Sequence, residues 1–187
     1  MPSWSRIATR SRVPLGFVFA AVYFWVAKPT WVSLLSGAAL ALAGLLIRAT
    51  ASGHIRKNAE LATTGPYAYT RNPLYLGSIV IAIGFIVAAR NLWIGIGALA
   101  MFAFIYLPVI SAEESYLRAT FPAYALYANH VPRFLPRLTA YRPESTGEGG
   151  SGNFSSALYL RHREYNAAIG SVLMIGALIL KMLLVHP

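Results

Sequence analysis

The chain has 187 residues, of which 57% are hydrophobic and 12% charged. Soluble domains carry roughly 25% charged residues, so an ordinary water-soluble fold is excluded. It has no cysteine and no aspartate, which rules out disulfides, thiolate metal sites and cysteine nucleophiles. The net charge of +10 would suit nucleic acid, but the basic residues cluster beside apolar runs, as in a membrane protein facing anionic lipid. No nucleic-acid partner is expected.

Five segments read as membrane spans: 13–28, 30–50, 73–89, 92–110 and 165–184. A span needs about 20 apolar residues, or about 17 at the short end. The predicted fold is therefore all-α, a multi-pass integral membrane helical bundle with about five transmembrane helices and a single domain over 1–187. Residues 1–28 read as a retained span, because no small-residue cleavage site ends them and a second span follows Lys28 and Pro29. With the N-terminus in the cytoplasm, thirteen basic residues fall inside and only Lys28, Arg90 and Lys181 outside. That is a strong positive-inside bias.

The outer connections near Lys28 and Arg90 are short, so spans one and two, and three and four, form tight hairpins. The polar segments 51–72 and 111–164 lie on the cytoplasmic side, where any soluble machinery must sit. Gly37, Ala41 and Gly44 on the second span and Gly77 and Gly84 on the third predict close helix approach.

The third span is entered through GPYAYTRNPLYLGS, residues 65–78. Gly65 and Pro66 signal a turn, and Pro73 suits the first turn of a helix, where its missing N–H costs nothing. Tyr67, Tyr69, Arg71 and Tyr75 suit an aromatic belt with a snorkelling arginine as well as they suit a site. After the fourth span, Glu113 and Glu114 stand against an inner surface rich in arginine. Acids beside a membrane are costly unless paired or used, and Glu114 is spaced to pair with Arg118. Pro122 interrupts this helix, and Phe121, Tyr124 and Tyr127 then share one face of a second short helix. His130, Arg133 and Arg137 are candidates to hold a carboxylate or phosphate, or a lipid headgroup. Residues 138–153 read as a flexible linker, most clearly from 141 onward. Arg163 and Asn166 fall on adjacent turns of one helical face before the last span. The four histidines have no short ligand spacing, so no metal site is expected.

GPYAYTRNPLYLG together with EESYLRATFPAYALYANHVPRFLP resembles the isoprenylcysteine carboxyl methyltransferase family, part of a wider group that includes phospholipid methyltransferases. The resemblance covers residues 50–137 well and the flanking spans loosely. It implies S-adenosylmethionine bound in a pocket at the cytoplasmic face, with its methyl group passed to a substrate entering from the lipid. By the same resemblance Tyr67, Arg71, Asn72, Pro73 and Tyr75 would form one wall of the cofactor pocket. Glu113, Glu114, Tyr124, Tyr127 and His130 would form the other, with Arg133, Arg163 and Asn166 facing the acceptor. The family usually reads Arg-His-Pro where this chain reads Arg71-Asn72-Pro73. Asparagine still donates a hydrogen bond but bears no proton charge.

Methyl transfer to a carboxylate requires no proton removal, so alignment and electrostatic orientation supply most of the acceleration. An amine acceptor must lose a proton, which would make Glu114 a base or a cation-binding group. The excess of arginine favours an anionic acceptor, or an anionic lipid carrying the acceptor, and the resemblance implies the carboxylate of a lipophilic or lipid-anchored, isoprenylcysteine-like substrate. The alternatives are phospholipid amine methylation, a nicotinamide-dependent (NADPH) membrane reductase, and a non-catalytic lipid-binding protein.

Overall fold

The computed structural model describes residues 4–56, 60–142 and 153–185, and every regular element among them is helical. Helix α1 is Trp4–Val26, α2 Trp31–Ser52, α3 Pro73–Ala89, α4 Leu92–Met101 and α5 Leu107–Thr120. The short helices α6, Tyr124–His130, and α7, Ser156–Arg161, precede the long α8, Tyr165–Val185. A 3₁₀ turn, Gly65–Ala68, leads into α3, and a π-helical segment, Phe102–Tyr106, joins α4 to α5.

Three helices are long and apolar enough to cross a membrane: Trp31–Ser52, Leu92–Thr120 and Tyr165–Leu184. The other two expected spans are helical but fall short for separate reasons. Helix α3 is apolar but has 17 residues, about 26 Å of rise against a hydrocarbon core of about 30 Å. Helix α1 has 23 residues, but Arg6, Arg10 and Arg12 occupy its first half. The fourth span is longer than expected, because hydropathy registers where the apolar side chains stop and the backbone stays helical to Thr120.

The chain divides into two compact units. The first comprises residues 1–41, 82–116 and 171–187. Its core is Tyr23, Ala27, Leu34, Ala88, Ala89, Ile94, Leu178 and Met182. Trp25, Val32, Leu99 and Leu173 are exposed, a pattern suited to lipid rather than water. Helices α2 and α3 meet through glycine: a Cβ on Gly84 would lie 2.8 Å from the Ala41 amide nitrogen. The hairpin turns are short, as expected. The Lys28 amide donates to the Ala89 carbonyl at 2.9 Å, and Asn91 caps α4 by accepting from the Trp93 amide.

Polar groups in this unit serve backbone carbonyls that helix geometry leaves unserved. The Lys181 ammonium donates to the carbonyls of Phe24, Trp25 and Ala27 at 2.6, 3.0 and 2.8 Å, satisfying acceptors at the end of α1. Pro108 has no N–H to offer the Phe104 carbonyl four residues earlier. There the helix widens into its π segment, with the Leu107 amide donating to the Phe102 carbonyl, and the Trp4 indole donates to the Phe104 carbonyl at 3.1 Å.

The second unit comprises residues 42–81 and 117–170. Here too α2 and α3 touch at glycines, since a Cβ on Gly44 would lie 2.6 Å from the Gly77 carbonyl oxygen. Most of its described chain outside the helices is irregular backbone.

Candidate functional site

The irregular backbone of the second unit is organised around the loop at 65–72. Gly65 has a φ of +57°, and any Cβ there would run into the His54 imidazole, so glycine is required for the chain to turn. The loop is then bound to the segment after α6. The Arg71 amide donates to the Pro132 carbonyl at 2.9 Å, the Arg137 amide to Tyr69 at 3.0 Å, and the Tyr141 amide to Ala68 at 2.9 Å. Side chains close the remaining gaps. The buried Thr70 hydroxyl lies 3.1 Å from the carbonyls of both Arg133 and Phe134, and Asn72 Nδ2 donates to the Arg133 carbonyl at 3.3 Å. The Tyr127 hydroxyl donates to the Tyr67 carbonyl at 2.8 Å. Buried backbone groups need partners, and the two sequence stretches supply them to each other.

This arrangement sets the surroundings of the expected site residues. Arg71 and Arg133 are both half-buried and are held near each other by the Arg71–Pro132 bond. The Arg133 guanidinium also lies 5.6 Å from the centre of the Phe134 ring. Tyr67 and Pro73 are buried and Tyr75 is half-buried, with Pro73 opening α3 as its position predicted. Tyr124 and Tyr127, on α6, are buried in a core with Leu61 and Val131; Phe121, expected on the same helical face, lies before α6 begins and packs against that core from the connecting turn. The Arg118 guanidinium sits 5.7 Å over the Tyr124 ring. His130 closes α6, with its Nδ1 2.9 Å from the Leu126 carbonyl. Asn72, expected at the cofactor, also fastens the two segments together.

Glu113 and Glu114 belong to the first unit, on α5, where Glu113 is exposed and Glu114 half-buried. Residues 138–142 of the expected linker are held in place by the Tyr141 amide bond, and the Tyr141 ring packs edge-on against Tyr127 at 5.6 Å. Residues 143–152 of that linker lie outside the described residues.

The expectation that Arg163 and Asn166 share a helical face is corrected. Helix α7 ends at Arg161 and α8 begins at Tyr165, leaving Arg163 in the connecting turn with a φ of +54°. A non-glycine residue in that conformation costs about 1–3 kcal/mol and persists when its surroundings fix it. Here the Asn166 amide donates to the Arg163 carbonyl at 3.0 Å, and His162 Nδ1 lies 3.2 Å from the Ser52 carbonyl.

Two residues given no role by sequence reasoning fix the same turn. Arg48 Nε and Nη2 donate to Glu164 Oε2 at 3.0 and 2.6 Å. Its Nη1 donates to the Leu74 carbonyl at 3.2 Å and to the Ser78 hydroxyl. Arg48 thus ties the start of α8 to the first turns of α3. The available signal was composition: Arg48 ends an apolar span, and Glu164 is one of only six acids in the chain. Among the described residues no group of three or more metal-ligating side chains gathers.

A family model described as phospholipid methyltransferase matches residues 15–124. The chain is 38% identical over 144 residues to the cobalt-zinc-cadmium resistance protein CzcN of Cupriavidus metallidurans, covering 72% of this chain and 66% of that protein. It is 37% identical over 103 residues to the nickel-cobalt-cadmium resistance protein NccN of Alcaligenes xylosoxydans xylosoxydans, covering 55% of this chain and 48% of that protein. The chain therefore spans between about half and two thirds of the length of these relatives. No solved structure matches it.

Proposed function

This chain belongs to the phospholipid methyltransferase family, and on that premise we propose that it is a membrane enzyme using S-adenosylmethionine to methylate a lipophilic acceptor. The family match reaches the wider group to which the sequence resemblance pointed. The narrower reading, a carboxylate acceptor of the isoprenylcysteine type, is our proposal.

The observation that carries it is the interlocking of the 65–72 loop with residues 132–141. It holds two half-buried guanidinium groups, Arg71 and Arg133, in adjoining segments. That donor chemistry fits the carboxylate of an amino-acid-derived cofactor and of an acidic acceptor, because a guanidinium fork matches a carboxylate in two parallel bonds. When bound, the cofactor supplies an activated sulfonium methyl group. Arg71 is assigned to the cofactor carboxylate and Arg133 to the acceptor carboxylate. Holding the acceptor in line and excluding water are then the protein's main contributions, since no proton has to move. Asn72 keeps the loop registered through the Arg133 carbonyl, a task that needs no imidazole. Glu113 and Glu114 keep, as a separate proposal, the cofactor contact that the resemblance gives them. The membrane arrangement with five crossings and a cytoplasmic active site is likewise proposed, on the positive-inside distribution.

The relatives' names supply a setting. Esterifying a membrane carboxylate removes one negative charge and with it an oxygen ligand for divalent cations. Methylation of an acidic envelope component would therefore alter metal tolerance. Phospholipid amine methylation is the second reading, favoured by the description of the matching family.

Incubating membranes containing the chain with methyl-labelled S-adenosylmethionine separates the two. Label that enters the lipid fraction and is released by mild alkali as volatile methanol marks a carboxyl methyl ester. Alkali-stable label on an ethanolamine headgroup marks the amine reaction. Absence of transfer to any membrane component contradicts both.

A further inference from the structure

After α6 the chain crosses the 65–72 loop and returns past the helix end, leaving a cavity of about 230 Å³. Leu126, His130, Arg137, Ala140, Tyr141 and Arg142 line it. All six lie in the second unit and beyond residue 124, where the family match stops. We propose that this cavity binds a phosphate group, supplied by the headgroup of an anionic membrane lipid.

The charge is one-sided. No acidic residue occurs from Ser115 to Arg142, the next being Glu144 outside the described residues, and among the described residues neither Arg137 nor Arg142 forms an ion pair. Arg137 is fixed in place: its amide donates to the Tyr69 carbonyl, Nη1 to the His130 carbonyl at 3.0 Å and Nη2 to the Thr139 hydroxyl at 3.2 Å. These bonds use two of the five guanidinium N–H donors and leave the others for a ligand. His130 Nδ1 faces the Leu126 carbonyl, which can only accept. The ring therefore carries a proton on Nδ1, and in the neutral ring Nε2 only accepts, so the phosphate contacts are assigned to the arginines. The Tyr141 ring lies 5.7 Å from the imidazole, tilted by 33°, and steadies that wall.

Size and surroundings name the ligand. The volume falls below the roughly 300–1,000 Å³ of pockets for drug-sized molecules and admits a phosphate group together with the glycerol that carries it. Around it stand leucines that water would not favour. Leu126, in the lining, is 53% exposed, and in the chain that flanks Arg137 Leu135 is 79% and Leu138 99% exposed. Basic groups rimmed by exposed aliphatic side chains match the boundary between headgroups and acyl chains. A lipid phosphate meets both features, whereas a free phosphate ion meets only the first.

The inference is independent of methyl transfer, and its test uses no methyl donor. Dihexanoyl phosphatidic acid is titrated calorimetrically into the detergent-purified full chain, with inorganic phosphate as the second probe. The lipid should bind, and Arg137→Gln and Arg142→Glu should each weaken it about tenfold, as expected for loss of a charge-assisted contact. Arg142 is exposed, so Arg142→Glu tests the site even where Arg137→Gln loosens the segment. Equal affinity in wild type and Arg142→Glu overturns the site. Inorganic phosphate binding as tightly as the lipid overturns the lipid assignment and leaves the phosphate ion itself as the ligand.

Discussion

The two units solve one problem, an unserved backbone group, in opposite ways. In the first unit nearly all backbone polarity is consumed inside helices, and single long side chains repair the exceptions: Lys181 at the end of α1 and Trp4 beside Pro108. In the second unit irregular segments serve each other, through the amides of Arg71, Arg137 and Tyr141 and the side chains of Thr70, Asn72 and Tyr127. Irregular backbone beside a membrane is tolerated where protein buries it. The comparison teaches that the polar side chains joining the second unit's irregular segments are mutually dependent, whereas Lys181 and Trp4 act singly.

The largest expected effect is at Arg48 and Glu164. Glu164→Ala should cost about 3 kcal/mol, because a largely buried guanidinium loses its counter-charge. The double change Arg48→Met with Glu164→Leu should cost much less, since no uncompensated charge remains. Thermal unfolding in detergent reads both, and equal losses would show that the pair does not act as a unit. Thr70→Val comes next, at about 1–2 kcal/mol, because it strips a shared donor from two carbonyls. Limited proteolysis between residues 130 and 142 should then accelerate, and unchanged cleavage would mean that the backbone bonds suffice alone. Trp4→Phe is the smallest, at about 0.5–1 kcal/mol, for one exposed bond to the Phe104 carbonyl. A loss as large as that at Thr70 would erase the distinction between the units.

Much of the long-helix framework was legible in the sequence, because hydropathy and small residues report directly on membrane helices. Segment 73–89 coincides with α3, 165–184 nearly with α8, and the paired glycines of α2 and α3 meet as expected. The π segment was not anticipated, since it follows from the backbone consequence of Pro108 rather than from apolarity. In the second unit Tyr124 and Tyr127 were readable as one buried face of α6 from their spacing, whereas Phe121 lies before that helix. The stitching was not, because amide-to-carbonyl bonds between distant loops leave no mark on side-chain identity. Among the described residues the side chains of Thr70, Asn72 and Tyr127 record it chemically. The misplacement of Arg163 has the same origin, since a left-handed φ at arginine runs against intrinsic preference and is imposed by neighbouring bonds.

Calorimetric titration of S-adenosylmethionine into the protein in lipid nanodiscs, with NADPH as comparator, tests the central claim most directly. The account predicts micromolar binding of the methyl donor, no binding of NADPH, and an affinity about tenfold weaker in Arg71→Ala. Absence of methyl-donor binding, or binding of NADPH in its place, would contradict it.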